Sequence, residues 1–131
     1  VALIGVVASA ALAGYLATDP HAVALAVSHD GAALTRLMRF MAAVKMLLAA
    51  AALAGVVWRL GAPVSLAWFG AYAAAAAPMA AGPGLIWGMV HVGAGALALH
   101  CGLLASLVLL WRDPETSRML AAMVARRRQA P

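Results

Sequence analysis

Residues 85–111 read LIWGMVHVGAGALALHCGLLASLVLLW, with no Asp, Glu, Lys or Arg among them. An apolar run of about 18 residues or more is long enough to cross the roughly 30 Å hydrocarbon core of a bilayer as a helix. Nothing in lipid can pair with an exposed backbone N–H or C=O, so a single run must satisfy these groups within itself, as a helix does. Trp87 and Trp111 stand near its two ends, where indole rings favour the membrane–water interface. This stretch decides the fold class, and the rest of the chain repeats its character.

Going back along the chain, three more apolar stretches are predicted to span: 1–18, 32–60 and 63–79. Asp19-Pro20 ends the first, since Asp caps a helix N-terminus and Pro fits its first turn. Residues 20–29 are too short to cross and are expected to form an interfacial helix. Asp30-Gly31 breaks the chain again, Gly61-Ala62-Pro63 makes a tight turn, and Pro78 with Gly82-Pro83-Gly84 closes the third span. Asp113-Pro114 stops the fourth. A basic amphipathic tail over 115–128 is expected on the membrane surface. The first stretch has no basic residue ahead of it and no soluble domain behind it, so it reads as a span rather than a signal peptide. The expected fold is therefore an all-α integral membrane protein. It is a four-transmembrane-helix bundle with a short interfacial helix in the first outer loop and a basic cytoplasmic tail, all in one membrane domain over 1–131.

Composition agrees. The chain is 66% hydrophobic and 10% charged, against about 45–50% and about 25% in soluble domains. The net charge of +5 is a topology signal rather than a nucleic-acid footprint. Arg112, Arg118, Arg126, Arg127 and Arg128 all follow the last span, and basic residues stay on the cytoplasmic side. That orientation places the C-terminus inside and the 19–31 segment outside. Arg36 and Arg39 then lie at the outer end of the second span, which calls for an anionic partner there, with Asp19 and Asp30 the nearest acids. The abundant alanine suggests a GC-rich bacterial genome, and hence the inner membrane. The single cysteine, Cys101, excludes an intrachain disulfide.

The few polar side chains inside the spans are the candidate site. A charge or imidazole at membrane depth costs about 2.5 kcal/mol or more unless it is paired or wet. At about 100° per residue, His91 shares a helix face with Gly88, Gly95 and Gly102, a smooth groove for a neighbouring helix or a flat ligand. His100, nine residues on, points the opposite way. Either histidine suits axial ligation of a haem b, with Met or a second His opposite. Arg36 and Arg39 suit carboxylates, haem propionates or lipid phosphates. Lys45 lies roughly 9 Å further along the helix than Arg39, and no acid lies at its depth. A ligand, a quinone or another subunit is expected to complete that site. Met41 and Met46 with His91 or His100 form a soft ligand set that would suit copper(I). His21 and His29 fall on the same outer side.

Other chemistries lack their residues. There is no phosphate-binding glycine loop, no metal-binding cysteine pair and no carboxylate pair for acid–base work. The layout is similar to that of small b-type cytochrome membrane anchors, but their His-Arg and Arg-His dipeptides do not occur and no residue is carried over. The leading expectation is a small non-catalytic subunit of a larger bacterial inner-membrane complex, respiratory or photosynthetic. Its partners would be the lipid bilayer and other membrane subunits or further copies of itself, with no nucleic acid. The alternatives are a self-standing haem b electron carrier and a copper-handling or small-molecule transport protein.

Overall fold

The structure, a computed structural model, describes residues 2–129, apart from the side chains of Arg126, Arg127 and Gln129. The three-arginine run of the expected tail thus lies partly outside the described residues. Five helices follow in order: α1 (Ala2–Leu16), α2 (Pro20–Arg59), α3 (Leu66–Trp87), α4 (Val92–Arg112) and α5 (Pro114–Gln129). There is no strand among the described residues. Three helices, α2, α3 and α4, are long and apolar enough to cross a membrane. The first is apolar but has 15 residues, about 22 Å at 1.5 Å per residue, short of the hydrocarbon thickness.

Local chemistry sets most boundaries. The carboxylate of Asp19 accepts from the His21 N–H at 3.0 Å, and Pro20 opens α2. At Gly31 the helix breaks, with φ 78° and ψ 165°. That conformation is open essentially to glycine alone, and the Thr35 hydroxyl donates to the Gly31 carbonyl at 2.9 Å. The expected break at Asp30-Gly31 is therefore present, but as a kink inside one long helix.

The third helix departs from the sequence reading at both ends. It starts at Leu66, capped by Ser65, and runs through Pro78 and Pro83 to Trp87. A helix within a membrane bundle tolerates proline because its neighbours help re-satisfy the freed backbone groups. Here those neighbours are tight: Tyr72, Ala75, Ala76, Met79 and Ile86 on α3 are all buried. The fourth helix correspondingly starts at Val92, after a turn over residues 88–91 that holds Met89 at a positive φ of 61°.

α3 is the centre. It packs extensively on α4, on α1 and on α2, whereas α1 and α2 scarcely touch each other. The reason is its composition: an Ala-rich, Gly-containing helix is narrow all round and lets several backbones approach. Leu3, Val56, Tyr72 and Ala76 form one core cluster, and Ala49, Met79 and Leu99 a second. α1 thus runs parallel to α3, while α2 and α4 run antiparallel to it. Arg59, Tyr72 and Asp113 meet at one end, which also carries the start of α5.

Candidate functional site

The buried charges lie at that end. The Arg59 guanidinium donates through Nε to Asp113 Oδ2 at 2.6 Å and through Nη2 to Oδ1 at 3.2 Å. The Tyr72 hydroxyl donates to Oδ2 at 3.2 Å, and the Glu115 N–H donates to Oδ1 at 3.0 Å. The side chains of Arg59 and Asp113 are 4% and 2% exposed, so this is an interior ion pair. Burial disfavours the ionised form of Asp113. The hydrogen bonds from Arg59, the Glu115 N–H and Tyr72 outweigh it and hold the carboxyl below the usual carboxylate range. One carboxylate ties the end of α2, the first turns of α3 and the α4–α5 corner together.

Sequence reasoning missed this cluster. It takes Asp113 only as a helix stop and gives Arg59 no role in a site. The residues are 54 and 41 positions apart, so only the packing order of the helices brings them together. The available signal was modest: two oppositely charged residues, each at the end of a span on the same predicted side.

The predicted site residues are spread over the molecule. A Cβ at Gly95 would lie 2.7 Å from the Gly82 carbonyl oxygen, and one at Gly102 would lie 2.7 Å from the Ala75 oxygen and from Met79. The small-residue face of α4 is therefore seated on α3. Gly88 belongs to the end of α3, where it meets Thr18. His91 is exposed at the first position before α4, and its side chain makes no capping bond. His100 is exposed on the flank of α4, with Nδ1 2.6 Å from the Ala96 carbonyl oxygen. A carbonyl only accepts, so Nδ1 carries the proton in this bond, and Nε2 makes no hydrogen bond among the described residues.

Arg36 is exposed, and Arg39 and Lys45 are half-buried. None of the three has an ion-pair partner among the described residues. The two nearby acids are engaged elsewhere: Asp19 caps α2, and Asp30 lies 3.1 Å from His29 Nδ1. Met41 and Met46 are exposed on α2, and His21 and His29 are exposed as well. Among the described residues no three or more His, Cys, Asp or Glu side chains are grouped to hold a metal.

Three expected residues, Arg39, Met46 and Gly88, line one cleft. Because α1 and α2 lean on α3 from different sides, a cleft remains between them. Along its length it is an open groove with about 420 Å³ of space, walled by residues such as Val7, Ala11, Met46, Ala50, Leu53 and Pro83. Its mouth is a second space of about 400 Å³ lined by Tyr15, Thr18, Val23, Arg39 and Trp87. Tyr15 and Trp87 line both. The Arg39 guanidinium carbon lies 5.6 Å from the Trp87 ring centroid, a cation–π contact. Its Nε is buried without a hydrogen-bond partner. Comparison with known proteins gives no match to a family model, to a curated protein or to a solved structure.

Proposed function

We propose that the chain is a small non-catalytic subunit of a larger bacterial inner-membrane complex of the electron-transfer kind, docking through the outer flank of α4. The observation that carries this reading is His100. It lies eight residues into a 21-residue apolar helix, about 12 Å along the axis, and it is exposed. A polar ring facing lipid at that depth is costly, whereas against a partner helix it finds a donor or acceptor. Leu97, Leu104, Leu107 and Val108 on the same helix are also exposed, an apolar surface suited to such packing. In this reading α1 serves as the fourth span, the segment before Gly31 lies along the outer interface, and the Arg59 end faces the cytoplasm with Arg112 and Arg118.

A second reading has its own observation. The Nδ1–H bond to Ala96 fixes the ring and leaves Nε2 without a partner among the described residues, the arrangement in which a histidine ligates a metal. A haem b held between His100 and a ligand on a partner or a second copy would fit it. Mild solubilisation from the native membrane tests both readings, with subunit stoichiometry and a reduced-minus-oxidised spectrum taken together. Other chains in fixed ratio, released by His100→Leu, support the subunit reading. A Soret band lost in His100→Leu supports the haem reading. A lone, colourless monomer unaffected by the substitution overturns both.

A further inference from the structure

We infer that the cleft between α1, α2 and α3 binds an amphiphile with a single anionic headgroup, its oxyanion on Arg39 and its tail in the apolar groove. The site is independent of the α4 flank, since α4 lends no residue to either part of the cleft.

Three observations converge. First, the groove is lined almost wholly by carbon, with small side chains such as Ala11, Ala50 and Gly84 leaving the space open. From Arg39 to Leu53 the α2 wall runs about 21 Å at 1.5 Å per residue, more than half of a roughly 30 Å hydrocarbon core. One extended acyl or isoprenoid chain suits that shape better than a compact ring system. Second, among the described residues Arg39 is the only charge lining either part. Asp19, between lining residues Thr18 and Pro20, caps α2 through the His21 N–H at 3.0 Å, and Arg39 forms no ion pair with it or with any other acid among the described residues. Third, Arg39 is held against Trp87, and its Nε is buried without an acceptor. A guanidinium lying beside a ring still keeps its N–H donors for an acceptor. Those donors form the fork that grips a phosphate or carboxylate through two parallel hydrogen bonds.

Phosphatidylglycerol and phosphatidylcholine are the probes, each brominated on the acyl chain. The chain, with Trp58, Trp68 and Trp111 replaced by Phe, keeps Trp87 as its one tryptophan, excited at a wavelength where tyrosine does not absorb. It is reconstituted in phosphatidylcholine vesicles containing a minor fraction of either brominated lipid. Bromine quenches Trp87 on contact, so relative quenching reads relative affinity. One charge-assisted contact predicts a preference of about tenfold or more for the anionic lipid. Arg39→Gln brings the ratio to about one, while Arg36→Gln leaves it intact. Ala50→Leu, which fills the tail groove without touching the cation, lowers quenching by the anionic lipid. Helical circular dichroism confirms that each variant is folded. Inorganic phosphate, against chloride at matched ionic strength, does not displace the lipid if the tail contributes. Displacement by phosphate would reduce the site to an anion site and overturn the amphiphile. Equal quenching by both lipids in the parent, or a preference that survives Arg39→Gln, would leave only unselective lipid or a partner helix in the cleft and overturn the proposal. Subunit stoichiometry is read separately, so either conclusion can fail alone.

Discussion

Asp113→Asn is the sharpest perturbation of this molecule, and its effect can be ranked in advance against Arg59→Met. Among the described residues every hydrogen bond made by the Arg59 guanidinium goes to Asp113, and its Nη1 has no partner. Replacing the carboxylate by an amide presents an N–H₂ where an acceptor stood and strands a buried cation. Stranding one member of an interior pair costs about 3–5 kcal/mol. The reverse deletion is milder, because Asp113 in Arg59→Met keeps its bonds from the Tyr72 hydroxyl and the Glu115 N–H and can also take up a proton. Asp113→Asn should therefore destabilise more than Arg59→Met, and the double variant should cost less than the two single effects added together. Equilibrium unfolding in mixed detergent micelles, followed by helical circular dichroism, measures all four corners of the cycle. A cost below about 1 kcal/mol for Asp113→Asn, the scale of exposed pairs, or a reversed order, would refute the reasoning.

Three further outcomes follow from particular geometries. The Asp113 carboxyl is held below its ordinary value of 3.8, so the folded state binds its proton more weakly than the unfolded chain does. The associated stability is fully present above about pH 5 and is lost as pH falls through 3.8 toward the folded-state value; an acid titration of stability should lose this component in Asp113→Asn. Gly95→Ala should destabilise by about 1–3 kcal/mol, since its Cβ would crowd the Gly82 carbonyl, Ile86 and Leu85. Gly93→Ala, with open space at the same helix end, should gain about 0.5–1 kcal/mol, and similar changes in the two variants would contradict the packing. Gly31→Ala meets no atom within 4 Å but cannot keep a φ of 78° without about 1–3 kcal/mol of strain. Relief by straightening would lengthen the distance between spin labels at Ala24 and Val44 toward the roughly 30 Å of an unbroken helix; an unchanged distance with unchanged stability would refute it.

What the sequence made legible was chemistry within reach of one helix. Three apolar runs long enough to cross a membrane, the Asp19-Pro20 start and the break at Gly31 are local, and these stand in the structure, whereas the first run is too short by that measure and the run over 85–111 is divided between α3 and α4. The proline rule misled at Pro78 and Pro83 because it prices a lone helix. Here Gly14 of α1 lies against Ala81, and Gly82 against Gly95 and Leu99, so neighbours hold the backbone where the sequence seemed to end it. Of the expected small face of α4, Gly95 and Gly102 lie against α3, whereas Gly88 closes α3 itself and His91 precedes α4. Arg39 stood out as a cation without a partner, but nothing local announces that Trp87, at the far end of another helix, lies beside it. Arg59, Tyr72 and Asp113 were hidden for the same reason: each looks ordinary alone, and only the order in which helices pack makes them one cluster.

That packing order also explains why open surfaces remain. A bundle whose neighbours all lean on one narrow helix closes around that helix and nowhere else. The Ala-rich α3 satisfies α1, α2 and α4 at once, so α1 and α2 have little need of each other and the cleft between them stays open. For α4, seating Gly95 and Gly102 on α3 turns His100, about half a turn away from Gly102, outward. Arg39 at the mouth of the cleft and His100 on the far flank are thus two consequences of one choice of central helix. A substitution that thickens α3, such as Ala76→Leu at a fully buried position, should disturb both surfaces together. Substitutions at Arg39 or His100 should each disturb one. Measuring lipid preference and subunit stoichiometry in the same Ala76→Leu preparation separates a shared scaffold from two unrelated sites.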